Sequence, residues 1–126
     1  MNKKTKARIL IADDSEMTRR ALKTVLELHD YNVLKEATNG EEAITLYQEL
    51  KPDLVLMDIA MPKKHGIDAI REIMKNDNQA KIIAITALYS PEKIEEVEES
   101  GVHHIITKPF NIPEMIKTIN KTLQAS

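Results

Sequence analysis

Five polar residues in this chain stand at the ends of four strand-like segments. Asp13 and Asp14 follow Arg8–Ala12, Asp58 follows Leu54–Met57, Thr86 follows Lys81–Ile85, and Lys108 follows Val102–Thr107. Two carboxylates about 5 Å apart repel by roughly 3 kcal/mol at an effective dielectric of 20. Three brought together need a cation. A hard divalent ion takes oxygen ligands, and Mg2+ suits carboxylates, a carbonyl, waters and a phosphate oxygen. A lysine adds a point positive charge and a threonine a hydroxyl donor, and together they can neutralise a tetrahedral oxyanion. A metal, a carboxylate nucleophile, a lysine and a hydroxyl are the parts of a phosphoryl-transfer site. Singly, each residue has a plainer role: Asp14 as a helix cap, Thr86 as a β-branched strand end, Lys108 as a solvated charge. That chemistry requires all five to reach one place.

Leu54–Met57 is a continuous apolar run, as in a strand covered on both faces. Pro62 stops it continuing as a central strand, which leaves Asp58 at its carboxyl end. Arg8–Ala12 is a first strand. Ser15 caps a helix in which Met17, Ala21, Val25 and Leu28, at spacings of four, four and three, predict one buried face. His29 and Asp30 close it. Tyr31–Ala37 is a weaker strand whose Lys35 and Glu36 suit an edge. Asn39 and Glu42 form a capping box before the stripe Ala43, Leu46, Tyr47 and Leu50, which Pro52 ends.

Gly66 opens a third helix with Ile67, Ile70, Ile73 and Met74 on one face. After strand Lys81–Ile85, Ser90-Pro91 starts a fourth helix. It is crowded with Glu92, Glu95, Glu96, Glu98 and Glu99 and has chiefly Ile94 and Val97 to bury. Gly101 supplies a left-handed stop. A fifth strand, Val102–Thr107, leads to a helix capped by Asn111 with Met115, Ile116, Ile119 and Leu123 inward. Strands alternating with helices predict an α/β fold: a doubly wound, five-stranded parallel sheet in the order 2-1-3-4-5. Ligands in such sheets bind at the carboxyl edge, near the switch point. There Asp13, Asp14 and Asp58 would meet, with Thr86 and Lys108 beside them.

The 126 residues form one domain, with residues 1–6 as a flexible basic lead-in. A net charge of −2 argues against nucleic acid as a direct partner, and no apolar run is long enough for membrane insertion. The chain has no cysteine, which excludes disulfides and thiolate metal sites and fits a reducing, cytoplasmic location.

These motifs, from Arg8 to Leu123, resemble the response-regulator receiver domain of bacterial two-component signalling. Asp13-Asp14 resembles its metal-binding acids. Asp58, with Met61-Pro62 and with Gly66 eight residues on, resembles its phosphoacceptor segment. Thr86-Ala87 resembles the switch hydroxyl and its small neighbour. Lys108-Pro109-Phe110 resembles the lysine motif, in which a cis bond commonly precedes the proline. The resemblance implies a flavodoxin-like receiver fold and a phosphoacceptor switch that phosphorylates and dephosphorylates only itself. Asp58 would take a phosphoryl group from a histidine kinase or phosphotransferase protein, with Mg2+ on Asp13, Asp58, the Ala60 backbone carbonyl and Asp14. A downstream protein target would read the state from the fourth helix, fifth strand and fifth helix. Ala60 and Leu88, at positions that flank the hydrolytic water in the family, imply slow to moderate phosphate loss.

The sequence also departs from the family. Ile105 stands where an aromatic switch residue is usual, and His103-His104 where small and acidic residues are commoner. Neighbours on a strand point to opposite faces, so the two histidines cannot share one ion. His65, in the loop after Asp58, reads as solvent-facing. A receiver cut from a longer regulator fits the same motifs. An aspartyl-phosphate phosphatase of the haloacid-dehalogenase type needs an acid two residues after its nucleophile, where this chain has Ala60. A flavodoxin-like FMN carrier needs a glycine- and hydroxyl-rich phosphate loop, and Asp13-Asp14-Ser15-Glu16 would repel a phosphate instead.

Overall fold

The computed structural model describes residues 6–61, 65–87 and 90–125. Residues 1–5, Pro62 and Leu88, on which parts of the sequence reading rest, lie outside them. The order is β1 (Arg8–Ala12), α1 (Glu16–Leu28), β2 (Asn32–Ala37), α2 (Gly40–Leu50), β3 (Leu54–Asp58), α3 (Gly66–Asn76), β4 (Ile82–Thr86), α4 (Pro91–Glu99), β5 (His104–Thr107) and α5 (Ile112–Gln124). The five strands form one sheet in the order β2-β1-β3-β4-β5, every pair parallel. Both the fold class and the strand order match the sequence expectation, and strand ends differ from it by one or two residues.

Side chains of β3 alternate between two cores, as a pleated strand requires. Val55 and Met57 pack with Leu10, Ala84, Ile67, Ile70 and Val97 on one side. Leu54 and Leu56 pack with Ile9, Ile11, Leu22, Leu26, Met115 and Ile119 on the other. Every residue of β3 and β4 is buried. A sheet held from both faces has little freedom, so the carboxyl ends of its central strands are fixed points.

The predicted caps form. Ser15 Oγ accepts from the Thr18 N–H at 3.2 Å, and Asn39 Oδ1 from the Glu42 N–H at 2.9 Å. Glu42 reaches back one residue further than a usual capping box, accepting from the N–H and hydroxyl of Thr38. Gly101 has φ 109°, the left-handed stop expected after α4. In α4, Val97 is the buried side chain and Ile94 is half-buried.

α1 corrects the sequence reading. Its buried residues are Leu22 and Leu26, with Val25 partly buried, while Met17 is 82% and Leu28 77% exposed. Met17, Ala21 and Leu28 do share a side of the helix, but that side faces outward. Helical spacing says which residues share a side; the short Asp13–Ser15 connection decides which side meets the sheet. Leu26→Ala is therefore expected to cost about 2–5 kcal/mol of stability, and Leu28→Ala less than about 0.5 kcal/mol. Urea denaturation checks this, and equal losses would place α1 wrongly.

Candidate functional site

β1 and β3 are neighbours, so their ends deliver Asp13 and Asp58 side by side. Asp13 continues the β1 line: its N–H donates to the Ala37 carbonyl at 3.0 Å. Asp58 is the last residue of β3 and pairs with Ile85 of β4, one residue before Thr86. The Lys108 N–H donates to the Thr86 carbonyl at 2.9 Å, which ties the end of β5 to the end of β4. The Lys108–Pro109 peptide is cis, as the family resemblance implied.

The side chains converge. One carboxylate oxygen from each of Asp13, Asp14 and Asp58 lies within 4.8 Å of the others. Asp13 is fully buried and Asp58 is 4% exposed, whereas Asp14 is exposed. Lys108 Nζ sits 3.2 Å from Asp13 Oδ2 and 3.5 Å from Asp58 Oδ2. The Ser15 N–H donates to Asp13 Oδ1 at 2.9 Å, and the Ala60 N–H donates to Asp58 Oδ1 at 3.0 Å. Thr86 is buried at the end of β4. The five residues singled out in the sequence thus stand at one edge. His104, on β5, and His103, just before it, stand apart from that edge. The His103 N–H donates to the Ile82 carbonyl at 2.9 Å, and burial holds the His104 imidazole below its ordinary pKa. His65 is exposed as the residue before α3 and makes no side-chain cap. Ile105 is partly buried against the core beneath α4.

Burial pushes the Asp58 carboxyl up from its ordinary pKa. The Ala60 N–H opposes that rise, the negative charge of Asp13 adds to it, and Lys108 opposes it. Burial would lower the Lys108 ammonium, but the carboxylates of Asp58 and Asp13 outweigh burial and hold it above its ordinary value. Lys108 is therefore charged, and one charge is shared between two buried acids. A bound cation would favour the ionised form of Asp58, which is the nucleophilic one. The donor set consists of carboxylate oxygens, with no thiolate or imidazole, which fits a hard ion and disfavours a soft one.

Gly66 does more than start a helix. A Cβ built there would lie 2.3 Å from the Asp58 carbonyl oxygen and 2.5 Å from Ile59 Cα. The Gly66 N–H donates to the Ile59 carbonyl at 3.3 Å. The first residue of α3 thus presses on the backbone that carries Asp58. The sequence marked Gly66 by its distance from Asp58, but spacing alone did not reveal the close approach.

Comparison with known proteins agrees with this geometry. Residues 9–120 match the response regulator receiver domain family. The chain is 46% identical over 114 residues to the chemotaxis protein CheY of Thermotoga maritima, covering 90% of this chain and 95% of that one. It is 40% identical to CheY of Bacillus subtilis, covering 92% and 97%. Among solved structures it is similar to the CheX–CheY–BeF3–Mg2+ complex from Borrelia burgdorferi, with TM-score 0.89, 29% identity and coverage of 94% and 90%.

The close approach at Gly66 yields a prediction. Gly66→Ala must move backbone, so it should destabilise the chain by about 1–3 kcal/mol and slow any reaction at Asp58 by displacing it. Urea denaturation and a rate measured on the fraction still folded check both parts. A variant of wild-type stability and rate would show that the contact relaxes freely.

Proposed function

The chain belongs to the response-regulator receiver domain family, and on that premise we propose that Asp58 is its phosphoacceptor. The observation that carries this reading is the position of Asp58: buried, beside Asp13 and Asp14, and facing Lys108 at 3.5 Å. The donor is a phosphohistidine of a histidine kinase or phosphotransferase protein. An Asp58 carboxylate oxygen forms a bond to phosphorus as the phosphorus–nitrogen bond breaks, and the electron pair returns to the imidazole. Lys108 faces the phosphoryl oxygens, where its charge counters the negative charge of the transition state. The Thr86 hydroxyl donates to the phosphoryl oxygen once it is in place. Asp13, Asp14, Asp58 and the Ala60 carbonyl would hold Mg2+. Mg2+, when bound, neutralises the carboxylate cluster and the incoming phosphate.

Burial supports a choice of partner surfaces. The apolar side of α1 left exposed, with Met17 close to Asp14 in sequence, gives the phosphodonor a docking face. α4, β5 and α5 form the output face toward a downstream protein. α4 offers one fully buried side chain, Val97, so it shifts at small cost. An inward pull on Thr86 loosens the connection to α4. Ile105 is short and stiff at χ1, so the loop and helix carry the response in place of a ring. The acidic surface of α4 suits a basic partner whose binding weakens with salt. We read residues 1–126 as a single receiver unit acting in the cytoplasm. Among the described residues, no helix is long and apolar enough to cross a membrane.

One experiment tests both halves of the proposal. Wild type and Asp58→Asn are incubated with phosphoramidate and Mg2+, then read by intact mass and by amide hydrogen exchange. Wild type should gain one phosphoryl group and change its exchange across residues 90–107, and the variant should do neither. Equal phosphate on the variant would remove Asp58 as the acceptor. Exchange changes confined to the loops around Asp58 would remove the output face.

A further inference from the structure

Arg19 is a basic side chain at the acidic edge that the transfer chemistry above leaves unused. It lies on α1, one turn after the cap Ser15, and its side chain is only 13% exposed. Its Nη1 donates to the backbone carbonyl of Asp13 at 2.7 Å. Its Nε donates to Glu36 Oε1 on β2 at 2.9 Å. The guanidinium therefore straps the turn after β1 to the neighbouring strand.

The peptide group is planar, so fixing the Asp13 carbonyl also fixes the Asp14 N–H on the same plane. The preceding plane is fixed as well, by the Asp13 N–H on the Ala37 carbonyl at 3.0 Å. Both carboxylates thus leave a backbone held on two sides. Mg2+ demands near-ideal octahedral geometry, and such a frame would supply the orientation. Charge balance points the same way. A lone guanidinium on the Asp13 carbonyl would add positive charge close to a divalent cation. Glu36 neutralises it at 2.9 Å, so Arg19 can orient the acids with little repulsion of the ion.

We propose that Arg19, neutralised by Glu36, is a positioning residue that sets the Asp13-Asp14 pair for a divalent cation. This rests on reading the edge as a Mg2+-dependent phosphoacceptor site. Lysine is no substitute, because one ammonium cannot reproduce the planar fork that spans two acceptors.

The test uses the full chain with Arg19→Gln, Arg19→Lys and Glu36→Gln. Mg2+ alone is titrated and followed by amide NMR shifts; separately, the phosphorylation rate with phosphoramidate is measured across Mg2+ concentrations. Arg19→Gln should raise the Mg2+ dissociation constant about tenfold, the range for residues that orient metal ligands. Its rate at saturating Mg2+ should stay near wild type, and Arg19→Lys should remain weakened. Glu36→Gln, which leaves the guanidinium charge uncompensated, should weaken Mg2+ at low salt and less at high salt. A merely structural Arg19 would lower the melting temperature and leave the Mg2+ affinity unchanged, which would overturn the proposal. If Arg19→Gln fails to fold, an unchanged affinity in Glu36→Gln at low salt would overturn it equally. If wild type binds Mg2+ but accepts no phosphate, the phosphoacceptor reading fails, and the affinity comparison still decides the role of Arg19.

Discussion

Two buried carboxylates share one ammonium at the carboxyl edge of this sheet, and much of the structure serves to hold them there. Asp13 and Asp58 have little access to water, and among the described residues Lys108, at 3.2 and 3.5 Å, is the cation that faces both. Unbalanced negative charge in a low-dielectric site is costly, so the backbone must be rigid enough to keep the acids from separating. Rigidity comes from β1, β3 and β4, the central strands, whose side chains are packed on both faces. Bonds from Ser15 and Ala60 then aim each carboxylate. Gly66 brings α3 against the carbonyl of Asp58, and Arg19 holds that of Asp13.

The same molecule is loosely held elsewhere. α4 has one fully buried side chain and five glutamates, and it follows directly on the strand that ends in Thr86. A rigid edge that gains charge lies next to an element with little burial to lose. A local electrostatic event can therefore move a distant surface without disturbing the core, because the two regions differ in stability.

The sequence made the site legible because its residues end strands. An apolar run closed by a polar residue fixes where that residue lies in a parallel sheet, and four such endings, carrying five residues, fix an edge. The strand order fits right-handed crossovers in a doubly wound sheet, with Lys35 and Glu36 marking β2 as an edge strand. What remained hidden involves choices between equivalent local patterns. Helix α1 carries two apolar stripes, and spacing could not say that Leu22 and Leu26 face the sheet while Met17 and Leu28 face out. The pressure of Gly66 on Asp58 depends on how the loop returns, which no pattern encodes. Arg19 has no local signal either, since its partners are a carbonyl and a glutamate on another strand.

A divalent cation should relieve the repulsion among Asp13, Asp14 and Asp58, and thermal melting of wild type and Asp13→Asn, with and without Mg2+, measures that relief. At about 100 times its dissociation constant, Mg2+ should stabilise wild type by about 2.7 kcal/mol and raise its melting temperature by several degrees, while Asp13→Asn should show little or no rise. An equal rise in both proteins, or none in wild type, would mean that Asp13 takes no part in binding a cation.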